Sequence, residues 1–245
     1  MTTAGARPPT RLPAAVADRP AFWALAGGAT VGALVLGAVD RDPFERLLGP
    51  IPPLAAVAVA AGAGIVALEV LARRGWCPPR DRLDRRAAAL LVGAATVLAV
   101  AAMAFDAAVP FDEDMNVAWP RSMLYYPTMA FLAEVALHLV PLAIVATTPN
   151  RLADRRPDRE APGRATALTA IVAVALVEAG LQTASALAGP DRRAALFVAP
   201  HLVIIGVVEL LGFRRKGFAA LATFRLTYYL LWHVIWGPVR LRLLF

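Results

Sequence analysis

The chain has 245 residues, 59% of them hydrophobic, with a mean hydropathy of +0.60 and a formal net charge of +7. An apolar fraction this high, gathered in blocks of roughly 20 residues that can each cross a bilayer as a helix, excludes an ordinary soluble domain. A basic soluble chain would suggest nucleic acid, but here the arginines fill short loops between apolar blocks, which is the mark of membrane topology and argues against a nucleic-acid partner.

In chain order, residues 1–20 hold Arg7, Arg11 and Arg19 among four prolines and read as a disordered cytoplasmic tail. Seven predicted spans follow, at about 21–39, 51–72, 87–110, 124–147, 165–189, 194–212 and 218–237. The first is long for the core of a signal peptide and no cleavage site follows it, so it reads as an anchor helix. Residues 21–110 form an N-terminal group of three spans, and residues 124–240 a C-terminal group of four. The expected fold is an all-α polytopic bundle of about seven helices. Of the 25 Lys and Arg, 17 fall on the side of the tail and of the second, fourth and sixth loops, against seven on the other, with Arg225 inside the last span. That asymmetry predicts a cytoplasmic N-terminus, an outward-facing acidic run Asp112-Glu113-Asp114, and contact between the basic loops and anionic lipid. The high Ala and Arg content with one lysine suggests a prokaryotic plasma membrane. The sole cysteine, Cys77, can make no internal disulfide. The sole lysine, Lys216, lies in a loop, which argues against a Schiff-base pigment.

The chemistry lies in the ionisable residues at membrane depth, where a charge costs at least about 2.5–3.5 kcal/mol and needs a reason to be there. All three histidines, His138, His201 and His233, fall within spans, as do Glu134, Glu178, Gln182 and Arg225. Counting helical rise from the span ends puts Glu134 and Glu178 about 15 Å deep, Gln182 and His201 about 10 Å, and His233 about 6 Å. If these residues face one another they form a polar chamber in the outer half of the membrane. Glu134 and His138 are four residues apart, as are Glu178 and Gln182, so each pair shares a helix face. A carboxylate and an imidazole so placed can offer ligands to one metal or hold one water, and His138, Glu178 and His201 form a candidate set for zinc or another divalent metal. Arg225 is expected to snorkel or to pair with a carboxylate. Glu69 and Glu209, near Arg73 and Arg214, read as interfacial ion pairs, and Asp106 as interfacial too. The competing structural reading is that these polar groups only join helices by hydrogen bonds.

The C-terminal group resembles the CAAX-protease and bacteriocin-processing family of intramembrane proteases, whose motifs are Glu-Glu-x-x-x-Arg, Phe-x-x-x-His and His-x-x-x-Asn on successive helices. Ala133-Glu134 through His138 resembles the first, with alanine for the first glutamate and histidine for the arginine. Phe197 through His201 matches the second, and an alternative register places Val174 to Glu178 there. His233 through Gly237 resembles the third, with glycine for asparagine. The resemblance implies a hydrolase acting on membrane-embedded or lipidated peptides, with Glu134 as base on water, His201 and Glu178 orienting that water or binding a metal, and His233 stabilising the oxyanion. Ala133 stands where the family's water-activating glutamate belongs, so either Glu134 takes over or activity is altered or lost. From another class, the same residues suit an ion-handling protein, with the histidines binding haem or relaying protons alongside Glu134 and Glu178.

Overall fold

A backbone in lipid has to pair its own N–H and C=O groups, which leaves long apolar runs only the helix. The computed structural model describes residues 18–111, 116–148, 162–188 and 192–245, and among these there is no strand. The helices are α1 (Pro20–Val39), the short α2 (Asp42–Leu48), α3 (Pro53–Arg73), α4 (Arg85–Ala108), α5 (Ser122–Thr147), α6 (Arg164–Ala188), α7 (Arg192–Lys216) and α8 (Phe218–Leu243). All but α2 are long and apolar enough to cross a membrane, so the chain forms the expected bundle of seven spans and is an integral multi-pass membrane protein. Residues 1–17 of the expected tail, the acidic run Asp112-Glu113-Asp114 and residues 149–161 lie outside the described residues.

Local sequence sets the helix limits. Pro20 and Pro53 stand in first turns, where no amide hydrogen is needed. The Asp84 carboxylate caps α4 by accepting the Ala87 N–H at 2.8 Å. Gly217, at φ +88°, makes the tight turn between α7 and α8.

Large apolar side chains face outward from the spans, Val59 on α3 at 72% and Val97 on α4 at 68% exposure among them. Water would penalise such a girdle and lipid does not. The interior is knitted by small residues that let backbones approach. A Cβ on Gly32 of α1 would lie 2.8 Å from the Leu124 carbonyl oxygen of α5. One on Gly206 of α7 would lie 3.0 Å from Ala175 Cβ and 3.1 Å from Glu178 Oε2 of α6. The N-terminal and C-terminal groups of spans interleave. α1 and α3 pack on α5, α4 packs on α8, and one apolar cluster joins Phe22, Leu68, Phe131, Phe213 and Phe218.

At the arginine-rich end, Arg19 is fully buried. It donates to Asp81 Oδ1 at 3.0 Å, to the Pro78 carbonyl at 2.6 Å and to Cys77 Sγ at 3.4 Å. Burial pushes the Cys77 thiol up to about 11, against the pull of the Arg19 guanidinium, so little thiolate exists at neutral pH. N-ethylmaleimide is therefore expected to modify Cys77 only after denaturation. Rapid labelling of the native protein, read by mass spectrometry, would contradict that burial.

Candidate functional site

Two spans depart from regular α-helix, and both carry candidate residues. α5 opens into a π-helical turn over Glu134–Leu139, and α8 does so over Leu230–Trp236. Such widened turns occur mostly at functional sites. Each is followed two residues on by a proline, Pro141 and Pro238. Proline lacks the amide hydrogen and its ring crowds the carbonyl four residues back, so the regular pattern fails just there. The first π turn carries Glu134 and His138 and the second carries His233.

Around the first π turn, five ionisable side chains from α5, α6, α7 and α8 interlock, and Glu134, His138, Glu178 and Glu209 have no exposed surface. His138 bridges two carboxylates, with Nδ1 2.8 Å from Glu134 Oε2 and Nε2 2.8 Å from Glu178 Oε2. Arg225 donates to Glu134 Oε1 at 2.7 Å, to Glu209 Oε2 at 2.7 Å and to Glu178 Oε1 at 3.3 Å. Gln182 donates to Glu178 Oε1 at 3.0 Å. Every carboxylate oxygen of the cluster thus has a partner except Glu209 Oε1, which is buried without one. Ligand atoms of Glu134, His138 and Glu209 lie within 4.8 Å of one another, and this buried group could hold a metal ion. The set of one imidazole and two carboxylates is of the kind zinc accepts.

The structure therefore gathers Glu134, His138, Glu178, Gln182 and Arg225, and it adds Glu209. The expectation that Glu209 forms an interfacial pair with Arg214 is corrected. α7 runs on to Lys216, so Glu209 sits two turns inside its end and meets Arg225, while Arg214 donates to the Pro162 carbonyl at 2.9 Å and lies over the Trp76 ring. Glu69 does pair with Arg73, at 2.6 Å. Asp106 is not a loose interfacial group. It is fully buried and takes hydrogen bonds from Arg240 and Trp236 of α8.

Neither His201 nor His233 touches the cluster. His201 lies eight residues before Glu209 on α7, about 12 Å along the axis. Its Nε2 stands 3.1 Å from the Tyr228 hydroxyl and its ring stacks on Phe197. The proposed metal set of His138, Glu178 and His201 is thus not assembled, because span-end arithmetic placed His201 at overlapping height when it sits a turn or more away. His233 faces a cavity of about 750 Å³ that opens at the end opposite the arginine-rich loops. Asn116, Tyr126, Gln182 and Tyr229 also line it. Gln182 and Tyr229 touch both places, the first through Glu178 and the second through Arg225.

Signals for the missed partner were present. Glu209 and Arg225 stand eight residues before and eight after Gly217, so a helical hairpin turning at that glycine brings them to equal depth. Compared with known proteins, the chain matches no family model, no curated protein and no solved structure.

Proposed function

We propose that the protein handles cations within the membrane, holding either protons or one divalent metal ion at the Glu134–His138–Glu178–Glu209–Arg225 cluster. The observation that carries this reading is the imbalance of charge among side chains that are closed off from solvent. With three carboxylates ionised, Arg225 charged and His138 neutral, the cluster sums to −2. An unbalanced charge at this depth is costly, so the cluster has to take up positive charge. Two protons bring it to neutrality, and so does one divalent cation beside a neutral His138. Glu209 Oε1, the one oxygen without a partner, is where the added charge is least well satisfied by protein groups. Zinc suits the imidazole and carboxylate donors, and its binding displaces protons. The arginine and alanine bias and the loop charges favour a prokaryotic plasma membrane with the N-terminus inside.

The test is calorimetric titration of the nanodisc-embedded protein with zinc, in two buffers of different ionisation enthalpy. The expected result is about one zinc per chain with one to two protons released, as metal replaces protons on its ligands. His138→Ala and Glu209→Gln should each abolish both signals. Absence of zinc binding, together with an infrared spectrum that shows no protonated carboxyl group in the metal-free protein, would sink the reading and leave the cluster as an ion-pair joint between helices.

A second reading, a divergent intramembrane hydrolase cleaving membrane-anchored or lipidated peptides, has one observation in favour: His233 lines an open cavity beside an amide, as an oxyanion site needs. Glu134 does not line that cavity and is held by His138 and Arg225, which leaves the base of that mechanism away from any substrate there. Turnover of a membrane peptide that Glu134→Gln abolishes would establish this reading over the first.

A further inference from the structure

The buried cluster is closed very differently on its two sides. Toward the arginine-rich loops, each of its four helices passes from the cluster into packed hydrocarbon. Leu139 and Leu142 on α5, Ile171 and Val174 on α6, Phe213 on α7 and Leu221 on α8 belong to one apolar cluster, each 2% exposed or less. Val174 and Leu221 stand four residues from Glu178 and Arg225, so this layer begins one turn from the charged groups. Ile171 is seven residues from Glu178, so the layer is about 10 Å deep along α6.

On the opposite side the cavity of about 750 Å³ comes up to the cluster. It lies between the two π turns. Ala133 and Tyr229, the residues just before those turns, and Leu137 and His233, within them, all line it. Ala133 and Leu137 are the sequence neighbours of Glu134 and His138. Gln182, an exposed side chain on the same wall, donates to the fully buried Glu178 at 3.0 Å. The Arg225 guanidinium lies 5.6 Å from the centre of the Tyr229 ring. Asp40, Asp42, Arg46 and Arg121 also line the cavity, with Arg121 and Asp40 paired. These two acids and two arginines call for solvation without favouring either sign, which leaves the choice of sign to the cluster inside.

A charge driven through turns of packed hydrocarbon meets a desolvation barrier that a charge moving past an amide and a phenol ring avoids. We propose that the cavity is the single port of the cluster. A cation enters and leaves at the end away from the arginine-rich loops, past Gln182 and Tyr229, while the hydrocarbon layer closes the other side. Resting on the cation reading above, this gives the site a direction: it exchanges with the compartment that faces away from the arginine-rich loops.

Access is read with the cationic thiol reagent 2-(trimethylammonium)ethyl methanethiosulfonate on the full-length protein in nanodiscs, where both faces meet the reagent. Ala133→Cys and Leu137→Cys place a thiol on the cavity wall, and Val174→Cys and Leu221→Cys place one in the hydrocarbon layer. Peptide masses separate each added thiol from Cys77, and thermal midpoints confirm folded proteins. The cavity thiols are expected to react at least about tenfold faster, because a thiol in the packed layer reacts only when the structure opens locally. Equal rates, or faster reaction in the layer, would overturn the proposal.

The route is read by stopped-flow zinc uptake and release in Ala133→Trp, which puts an indole into the cavity beside Glu134. A plug in a single port slows association and dissociation by the same factor, expected to be about tenfold or more, and leaves Kd near the wild-type value. Unchanged rates, or a weakened Kd with association unslowed, would overturn the proposal. Labelling does not depend on zinc, so the two readings fail separately. A protein that keeps the labelling contrast but takes up no zinc supports the port and speaks against the metal ion. One that binds zinc without the contrast keeps the cation site and loses the port.

Discussion

An Arg225→Leu variant is expected to lose about 3–5 kcal/mol of stability, the cost of removing one partner from a buried ion-pair network. Among the described residues, its guanidinium is the only permanently charged cation touching Glu134, Glu178 and Glu209, from three different helices. Without it three fully buried carboxyls meet around one histidine. The loss should fall on the joint between α8 and the other three helices. It should be visible as a lowered thermal midpoint in detergent and as faster amide exchange along α8. Adding Glu209→Gln to the same chain removes one of the stranded charges and should restore part of the loss. If Arg225→Leu alone melts with the wild type, the guanidinium contributes nothing and the cluster's geometry has another origin. If the double variant is no better than the single one, Glu209 was already neutral.

Asp106→Ala is expected to be comparably damaging, at about 3–5 kcal/mol, by removing the buried carboxylate that Arg240 and Trp236 share. Arg240 is fully buried and donates to Asp106 Oδ2 from Nε at 2.8 Å, to Oδ1 from Nη2 at 3.0 Å, and to the Phe111 carbonyl at 2.6 Å. The Trp236 indole N–H adds a bond of 2.6 Å to Asp106 Oδ2, and the Phe111 N–H one of 2.9 Å to Oδ1. These contacts fasten the end of α4 to the last turns of α8, beyond the second π turn. The variant should show raised exchange across 237–243 and altered tryptophan fluorescence. Asp106→Asn keeps the shape and part of the bonding and should fall between the two. Unchanged exchange in Asp106→Ala would show that the Asp106 carboxylate contributes nothing to holding the last turns of α8.

The seven spans were legible because length and hydropathy act on each helix separately. The cluster was legible in part. The Glu134–His138 and Glu178–Gln182 pairs share faces by four-residue spacing, and the structure keeps both pairs in contact. Linear reckoning from span ends misplaced Glu209, because the predicted span stops at 212 while the helix continues to Lys216. An arginine can lie inside a helix when its carbonyl partner and an aromatic ring receive it, as Pro162 and Trp76 do for Arg214. The two π turns were also hidden, since the sequence shows a proline but not which side of it the backbone will widen. Asn116 could not have been matched to His233 at all. They are 117 positions apart, and what joins them is an absent side chain at Gly237.

The buried cluster also constrains how the chain is made. During synthesis each helix meets the insertion machinery nearly alone, and a central charge costs about 2.5–3.5 kcal/mol at that moment. Among the ionisable groups of the shared site, α5, α6 and α7 bring only carboxylates and one histidine, and the permanent positive charge arrives after them, with α8. Until then three acidic helices sit in lipid without their counter-ion. The cluster is thus completed only when α8 joins the three helices before it, and a chain cut short before Arg225 presents quality-control proteases with unpaired acids at the centre of the bilayer.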